Sequence, residues 1–541
     1  MNAKALRFAF TSVTTRANAF DRLDWLAASA VVALAFTLRY LGIRMGLPYY
    51  HHWDEGWVAD NTAHMLQTRE WMPATYQYGA PPSTIAALVV LAARALEPER
   101  VFDSTDGVFL RVIGRDITAI ISSTGAFAVY VAARFATVGD RWARPRAIYA
   151  ALAYAAGAEL VTHGRYAATD ANLVALGAWT LAFGALYVRG GRTRWAVATV
   201  VFAALSVAFK LTASLTLSVP FVLLAAKAGT RRERALRFAW AIPLALFVFF
   251  ALNPHFLLHT MLAVHDVQKR VNQTVRGGLP EFLLRSRGPE HLAAEAHALL
   301  VQLFHRWPWA GAIGGALAVS GVALAWRQRS VIVILGTIQA TLLLAGFAFT
   351  SRAFLFRNYL GAAPILCIGI GFSMTWLHAE ASRLRFQTGA RAILASAFVG
   401  LFVMVSAFHA VRAQALSLDA RTRALDWLSA HVSTTSTVTC TNTVIADVMG
   451  IRGELRPTRD RPHLTFTVDV ADAQEAVSQH ADYVLVASSP DPFGRGIVWP
   501  FRELPGYHAV AHFERNPYEH NFAITPTWGG RFDALVLQRD R

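Results

Sequence analysis

HHWDEGWVADNTAHMLQTREWMPATYQYGAPP, residues 51–82, runs directly into STIAALVVLAARALE, residues 83–97. How the second piece is read decides the topology of everything after it. If 83–97 crossed a membrane, every later cluster of basic residues would change side. The run is short for a span, which needs about 20 apolar residues, and it carries Arg94. It therefore reads as a helix that lies in the membrane interface or dips into it, and 44–111 becomes one outer loop. That loop holds the adjacent carboxylates Asp54 and Glu55, the histidines His51, His52 and His64, several Trp and Tyr side chains, and the closing Pro81-Pro82. An acidic, aromatic, histidine-bearing loop beside a first span is where chemistry is expected.

The composition supports a membrane chain. Of 541 residues, 55% are hydrophobic and only 16% charged, with mean hydropathy +0.36, whereas a soluble domain carries about 25% charged residues. The net charge of +16 is gathered in short arginine clusters between apolar runs, a topology signal rather than a nucleic-acid footprint. Nucleic acid is therefore not expected as a partner. The two cysteines, Cys367 in an apolar run and Cys440 in a polar tail, suggest neither a disulfide nor a metal cluster. The first apolar run and its lead-in are too long for a cleaved signal peptide.

Apolar runs at 24–43, 112–136, 147–163, 170–188, 195–210, 211–227, 237–257, 308–326, 331–350, 359–378 and 391–411 give about eleven transmembrane helices. Basic residues precede the first run (Lys4, Arg7, Arg16, Arg22). They recur after every second one, at Arg134–Arg146, Arg189–Arg194, Lys227–Arg237, Arg327–Arg329 and Arg383–Arg391. The positive-inside rule then puts the N-terminus and these loops in the cytoplasm. The loops 44–111, 163–170, 258–307 and 351–358, and the tail from about 412, face outward. Within 258–307, PEHLAAEAHALLVQLFHRW reads as a second interfacial helix, with Trp307 and Trp309 at headgroup depth. The tail changes character. RTRALDWLSAHV and ADAQEAVSQH read as helices, and STVTCT, DYVLVAS and FDALVLQ as strands. The expected architecture is a polytopic α-helical domain, 1–411, followed by a small extracytoplasmic α/β domain, 412–541, in an inner (plasma) membrane.

Several residues are placed to do chemistry on the outer side. Asp54 and Glu55 can act as a general base or hold a divalent cation; the plain alternative is a solvated acidic pair. Arg165 and Asp170 bracket a tight turn that can bring Asp170 near Asp54, and Asp170 is equally suited to cap the next helix. Arg352 and Arg357 suit a phosphate at the outer leaflet, with Tyr359 adding a hydroxyl, or else they snorkel to headgroups. Lys210, at the outer end of a run, has the same two readings. Arg111 and Arg115 open the second span, where a charge is usually paired. His255, His259 and His265 have only partly helical spacing, which is a weak metal pattern. No Walker-type phosphate loop and no G-x-S-x-G elbow occurs.

Taken together, these pieces resemble the GT-C superfamily of membrane glycosyltransferases, and among them the bacterial relatives of protein O-mannosyltransferases and lipid A aminoarabinose transferases. The matching pieces are Asp54-Glu55 after the first span, Pro81-Pro82 opening an apolar helix, Arg165-x-x-x-x-Asp170, Lys210 before a later span, and Arg357-x-Tyr359 with Pro364. They cover about residues 20–410. The resemblance implies a polyprenyl-phosphate sugar as donor and an inverting transfer to an extracytoplasmic glycan, lipid or protein, with Asp54 as base. Glu55 and Asp170 would support donor or metal, and Lys210 and Arg357 would hold the leaving phosphate. Tyr359, Arg352 and Arg165 would lie close by, with His52, Trp53, His64, Tyr78, Pro81 and Pro82 in the substrate loop. A cation, if used, would take Asp54 and Asp170; the sequence does not decide between a metal and none. Relatives often place Lys or His before the Pro-Pro, where this chain has Ala80. The rival reading is a transporter or flippase of lipid-linked sugars. That would put charges near mid-membrane and repeats in the chain, whereas here the charges gather at outer ends.

Overall fold

The computed structural model describes residues 20–44, 53–76, 78–97, 107–137, 140–276, 283–284, 286–305, 308–354, 356–383, 388–401, 420–433, 436–441, 465–470, 477–478, 480–488, 503–514 and 533–540. The chain forms two compact units. The larger takes in 1–43, 58–278 and 284–410, and the smaller 44–57, 279–283 and 411–541.

The larger unit is helical. Its first helix, α1 (Arg22–Tyr40), starts at a reciprocal capping box. Asp21 accepts the Asp24 N–H at 2.9 Å, and Asp24 accepts the Asp21 N–H at 3.3 Å. Then come α2 (Trp53–Thr68) and α3 (Pro81–Leu96), with prolines at the first helical positions of α3, where no N–H is missed. The long α4 (Gly107–Phe135) follows, then α5 (Ala143–Ala156) and the single turn α6 (Ala158–His163). Next are α7 (Thr169–Gly190), α8 (Thr193–Phe209), a 3-10 stretch Leu211–Leu217, α9 (Ser218–Ala226) and α10 (Arg231–Leu252). Short α11 (His255–Leu258) leads into α12 (Thr260–Arg276); α13 (Pro289–Gln302), α14 (Pro308–Arg327) and α15 (Val331–Thr350) come after. A 3-10 turn, Phe356–Ala362, runs into α16 (Ala363–Arg383), and α17 (Thr388–Val399) is the last helix of this unit among the described residues.

Among the described residues, seven segments are long and apolar enough to cross a membrane: α1, α4, α7, α10, α14, α15 and Phe356–Ala381. This is a multi-pass membrane protein. The expected run 147–163 is broken at Gly157 into α5 and α6, and 195–210 and 211–227 form shorter apolar helices parted at Lys210. Of 391–411, the part beyond 401 lies outside the described residues, as do Arg306 and Trp307. Residues 83–97 form α3, a 16-residue helix. One of its faces packs with α2 on α4 through Ala59, Ala86, Val90, Leu110, Ile113 and Ile117. The other leaves Leu88, Val89 and Leu91 exposed, as suits a lipid-side surface. The same contrast separates α7, with 72% of its apolar window buried, from α10, with 11%: α7 lies inside the bundle, and α10 turns Ile242, Leu246 and Phe247 outward. Tight packing of α14 on α16 depends on small residues; a Cβ added at Gly321 would fall on the Gly369 carbonyl.

In the smaller unit, α18 (Ala420–His431) covers a five-stranded sheet of β1 (Thr437–Thr441), β2 (Thr465–Val470), β3 (Tyr483–Ser488), β4 (Tyr507–Phe513) and β5 (Asp533–Arg539). The spatial order is β2-β1-β3-β5-β4. β1 pairs parallel with β2 and β3, and β5 antiparallel with β3 and β4. The period of two divides the core. Leu485, Ala534 and Val536 join Ala424, Leu425 and Leu428 of α18, while Val484, Val486, Leu535 and Leu537 pack on the opposite face. The sequence patterns at 437–441, 483–488 and 533–539 anticipated strands. Those at 465–470 and 507–513 were not expected. Most of the helix expected over 471–480 lies outside the described residues.

Candidate functional site

The site grows from a break in the chain. α8 stops at Phe209, and Lys210 is extended (φ −156°, ψ 123°) before the 3-10 stretch begins. The break frees the Ala208 carbonyl from helical pairing, and Asn253, at the end of α10, donates to it through Nδ2 at 3.1 Å. The Oδ1 of the same Asn253 accepts the Ala80 N–H at 2.8 Å. Gly79 lies so close to the Ala208 carbonyl that a Cβ would fall on it. The loop Trp71–Ala80 is pinned further back as well: Asn61 accepts the Thr75 N–H at 3.2 Å, and Asp266 of α12 accepts the Tyr76 N–H at 3.0 Å. Side-chain acceptors thus do for this loop what neighbouring backbone does for a strand.

Pinning the loop sets Tyr78 against Lys210. The Lys210 ammonium lies 5.5 Å from the centre of the Tyr78 ring and 2.5 Å from Asp170 Oδ1. Lys210 and Asp170 are both buried, and Lys210 Nζ is also 3.5 Å from Asn358 Oδ1. On α12, Arg270 donates to the Tyr78 hydroxyl at 3.1 Å with its guanidinium 5.9 Å from the ring centre. Asp170 stands in the first turn of α7 but is not its cap, since the cap position is Ala168 with no side-chain cap bond. Tyr359, in the 3-10 turn beside Asn358, is fully buried with its hydroxyl 3.3 Å from His291 Nε2; Arg357 of the same turn is buried too.

The other expected residues lie as follows. Asp54 and Glu55 occupy the first turn of α2, both buried, and residues 44–57 group with the smaller unit. His51 and His52 are outside the described residues; Trp53 opens α2. His64 is half-buried further along α2, and Pro81 and Pro82 are buried at the start of α3. Arg165 is buried and gives Nε and Nη2 to the Leu38 carbonyl at 3.3 and 2.8 Å, so it ties down the end of α1. Arg115 likewise donates to the Ile43 carbonyl at 2.7 Å. Arg352 is exposed. His255 stacks on Tyr76 at 4.8 Å and His259 at 6.3 Å, while His265 is exposed. Burial and the neighbouring His259 lower the His255 pKa to about 4. Among the described residues no group of three or more His, Cys, Asp or Glu is placed to hold a metal ion.

Sequence reasoning missed Asn253, Asp266 and Arg270. Asn253-Pro254 after an apolar run is a turn signal, and His259, Ala263, Asp266 and Arg270 follow one helical face. Both signals were legible, but nothing local says what those side chains meet.

No family model matches the chain, and no curated protein matches it by sequence. Among solved structures it is similar to ArnT from Cupriavidus metallidurans in the apo state, at 14% identity and TM-score 0.49, over 95% of this chain and 97% of that one. The same enzyme bound to undecaprenyl phosphate gives 13% identity and TM-score 0.47, over 95% and 98%. The S. cerevisiae protein O-mannosyltransferase Pmt1-Pmt2 complex bound to the sugar donor gives 16% identity and TM-score 0.34, over 53% of this chain and 40% of that one.

Proposed function

We propose that the chain is a membrane glycosyltransferase that moves a sugar from a polyprenyl-phosphate donor to an extracytoplasmic acceptor with inversion. The observation that carries the reading is the buried Lys210–Asp170 pair at 2.5 Å, set in a helix break under Tyr78 and close to Asn358. A buried ammonium held at a defined point costs desolvation energy, and a site that receives a departing phosphate uses that charge. Arg270, bonded to the Tyr78 hydroxyl, adds a second cation; Arg357 is a third, with Tyr359 beside it. Arg165 is assigned the support of α1, and Arg352 an outer contact with headgroups or phosphate.

In this reading Asp54 takes the proton of the acceptor hydroxyl or amine as that atom bonds the anomeric carbon from the face opposite the phosphate. The bond from carbon to phosphate oxygen breaks, and polyprenyl phosphate leaves with one more negative charge, met by Lys210, Arg270 and Arg357. Glu55 and Asp170 orient the donor and the lysine. His52, Trp53, His64, Tyr78, Pro81 and Pro82 shape the substrate loop. The orientation in an inner membrane, with N-terminus inside and the sheet-bearing unit outside, follows from the arginine clusters.

The test is mass spectrometry of lipid-linked sugars and surface glycans in cells with and without this chain. Accumulation of one polyprenyl-phosphate sugar together with loss of that sugar from one glycan is the expected result. The same glycan loss with the lipid-linked sugar trapped on the cytoplasmic leaflet would replace transfer by flipping.

A further inference from the structure

Behind Tyr359 lies a polar cluster that the transfer reaction does not use. His291 and Glu295 stand one turn apart on α13, a 14-residue helix outside the seven spans. Both are 0% exposed. His291 Nε2 is 3.3 Å from the Tyr359 hydroxyl and 3.3 Å from Glu295 Oε1. The cage around them is apolar: the His291 ring lies 5.7 Å from Phe354, and Tyr359 meets Phe347 edge-on at 5.8 Å. α15 contains no titratable residue, and α14 only Arg327 at its far end. Among the described residues of these elements, the titratable groups that face Glu295 are His291 on its own helix and Tyr359 from the 3-10 turn, which also carries Arg357.

We infer that His291 and Glu295 are positioning residues for the phosphate end of the site, holding through the Tyr359 hydroxyl the 3-10 turn that presents Arg357 and Asn358. This rests on the reading of Lys210 and its neighbours as a phosphate site. A buried polar side chain is costly unless bonded, so three such groups meeting at one nitrogen fix the turn's register more sharply than apolar packing would. The link to the site is short: Asn358 adjoins Tyr359 in the chain, and its Oδ1 is the atom 3.5 Å from Lys210 Nζ. Nε2 offers one lone pair or one proton. Tyr359 and Glu295 share it, and the protonation of Glu295 decides how. Burial pushes the Glu295 carboxyl up to about 8, so it holds its proton near neutral pH and ionises in mild alkali. Ionised, it accepts the Tyr359 hydroxyl itself and draws it off His291, which shifts the turn that Tyr359 holds.

The experiment titrates undecaprenyl phosphate into the full-length protein in nanodiscs, across a pH series from about 6.5 to 9, with melting temperatures read in parallel. Tyr359→Phe and His291→Gln are expected to weaken binding roughly five- to tenfold, the size of one neutral hydrogen bond. The wild-type affinity should fall through the upper half of the series, and Glu295→Gln, which cannot ionise, should lack that limb. A purely structural role would lower melting temperatures and leave the shape of the pH curve alone. The inference is overturned if Tyr359→Phe binds like wild type, or if Glu295→Gln follows the wild-type curve. If wild type does not bind, or Lys210→Ala binds equally well, the phosphate reading itself fails and takes this inference with it.

Discussion

Two ends of the larger unit use the same ingredients, a buried carboxylate and basic side chains, and spend them differently. Where α1 starts and α4 ends, Asp24 receives the Tyr130 hydroxyl at 2.8 Å and Nε of Arg134 and of Arg144 at 3.1 Å each. Arg144 also pairs with Asp21, and Arg146 with Asp140, its guanidinium 4.1 Å over the Phe372 ring. Arg189 donates to the Thr137 carbonyl and Ser330 to that of Ala136, closing the same end. Where α7 starts and α8 ends, Asp170 has one cation, Lys210, and the groups around that lysine are a ring face and a carboxamide at 3.5 Å. The first end has met its charges from within and fastens helices. In the proposed function, the second holds Lys210 where a departing phosphate would meet it.

The widest gap between the two ends should appear in stability. Asp24→Ala removes the common acceptor of three side-chain donors and of the Asp21 N–H, and breaking a buried network of this kind costs about 3–5 kcal/mol. Thermal unfolding should report that loss while the affinity for undecaprenyl phosphate stays at the wild-type value. A weakened affinity at unchanged melting temperature would reverse the assignment of the two ends.

A smaller effect, on both stability and binding, is expected from Gly79→Ala. The added methyl falls on the Ala208 carbonyl, and forcing a group into a filled space costs roughly 1–3 kcal/mol. Because the displaced loop carries Tyr78, binding of the lipid phosphate should weaken alongside the melting temperature. Ala at Gly79 with wild-type affinity would show that the loop's close approach does not set the site.

Smallest is the acid response of the loop. The His255 pKa is lowered to about 4 from an ordinary value near 6.5, so the fold favours the neutral ring. Its contribution is fully present above about 6.5 and is lost as pH falls toward 4. His255→Phe, which keeps the stack on Tyr76, should flatten the fall in melting temperature between those values. Parallel curves for the two proteins would remove His255 from the loop's support.

The apolar helices, the helix at 83–97 and the strands at 437–441, 483–488 and 533–539 were legible, because apolar length and period are local properties. The break at Lys210 was visible as an uncertain boundary between two short runs. The Lys210–Asp170 pair was legible only as two charges with alternative readings. The geometry settles one alternative, since Ala168 and not Asp170 caps α7. What Asn253, Arg270 and Glu295 meet was not legible. Each acts across more than 60 residues of chain or from behind a buried neighbour, and a sequence pattern reports faces, not the groups they meet.

The most direct test of the central claim compares Lys210→Ala and Asp24→Ala in one titration with undecaprenyl phosphate. Loss of a preorganised charge at a site of this kind is worth about 10²–10³ in rate, and the affinity for the phosphate should drop by at least tenfold in the Lys210 variant. The Asp24 variant, though less stable, should bind as wild type. Equal affinity in wild type and Lys210→Ala, or equal losses in the two variants, would contradict the account.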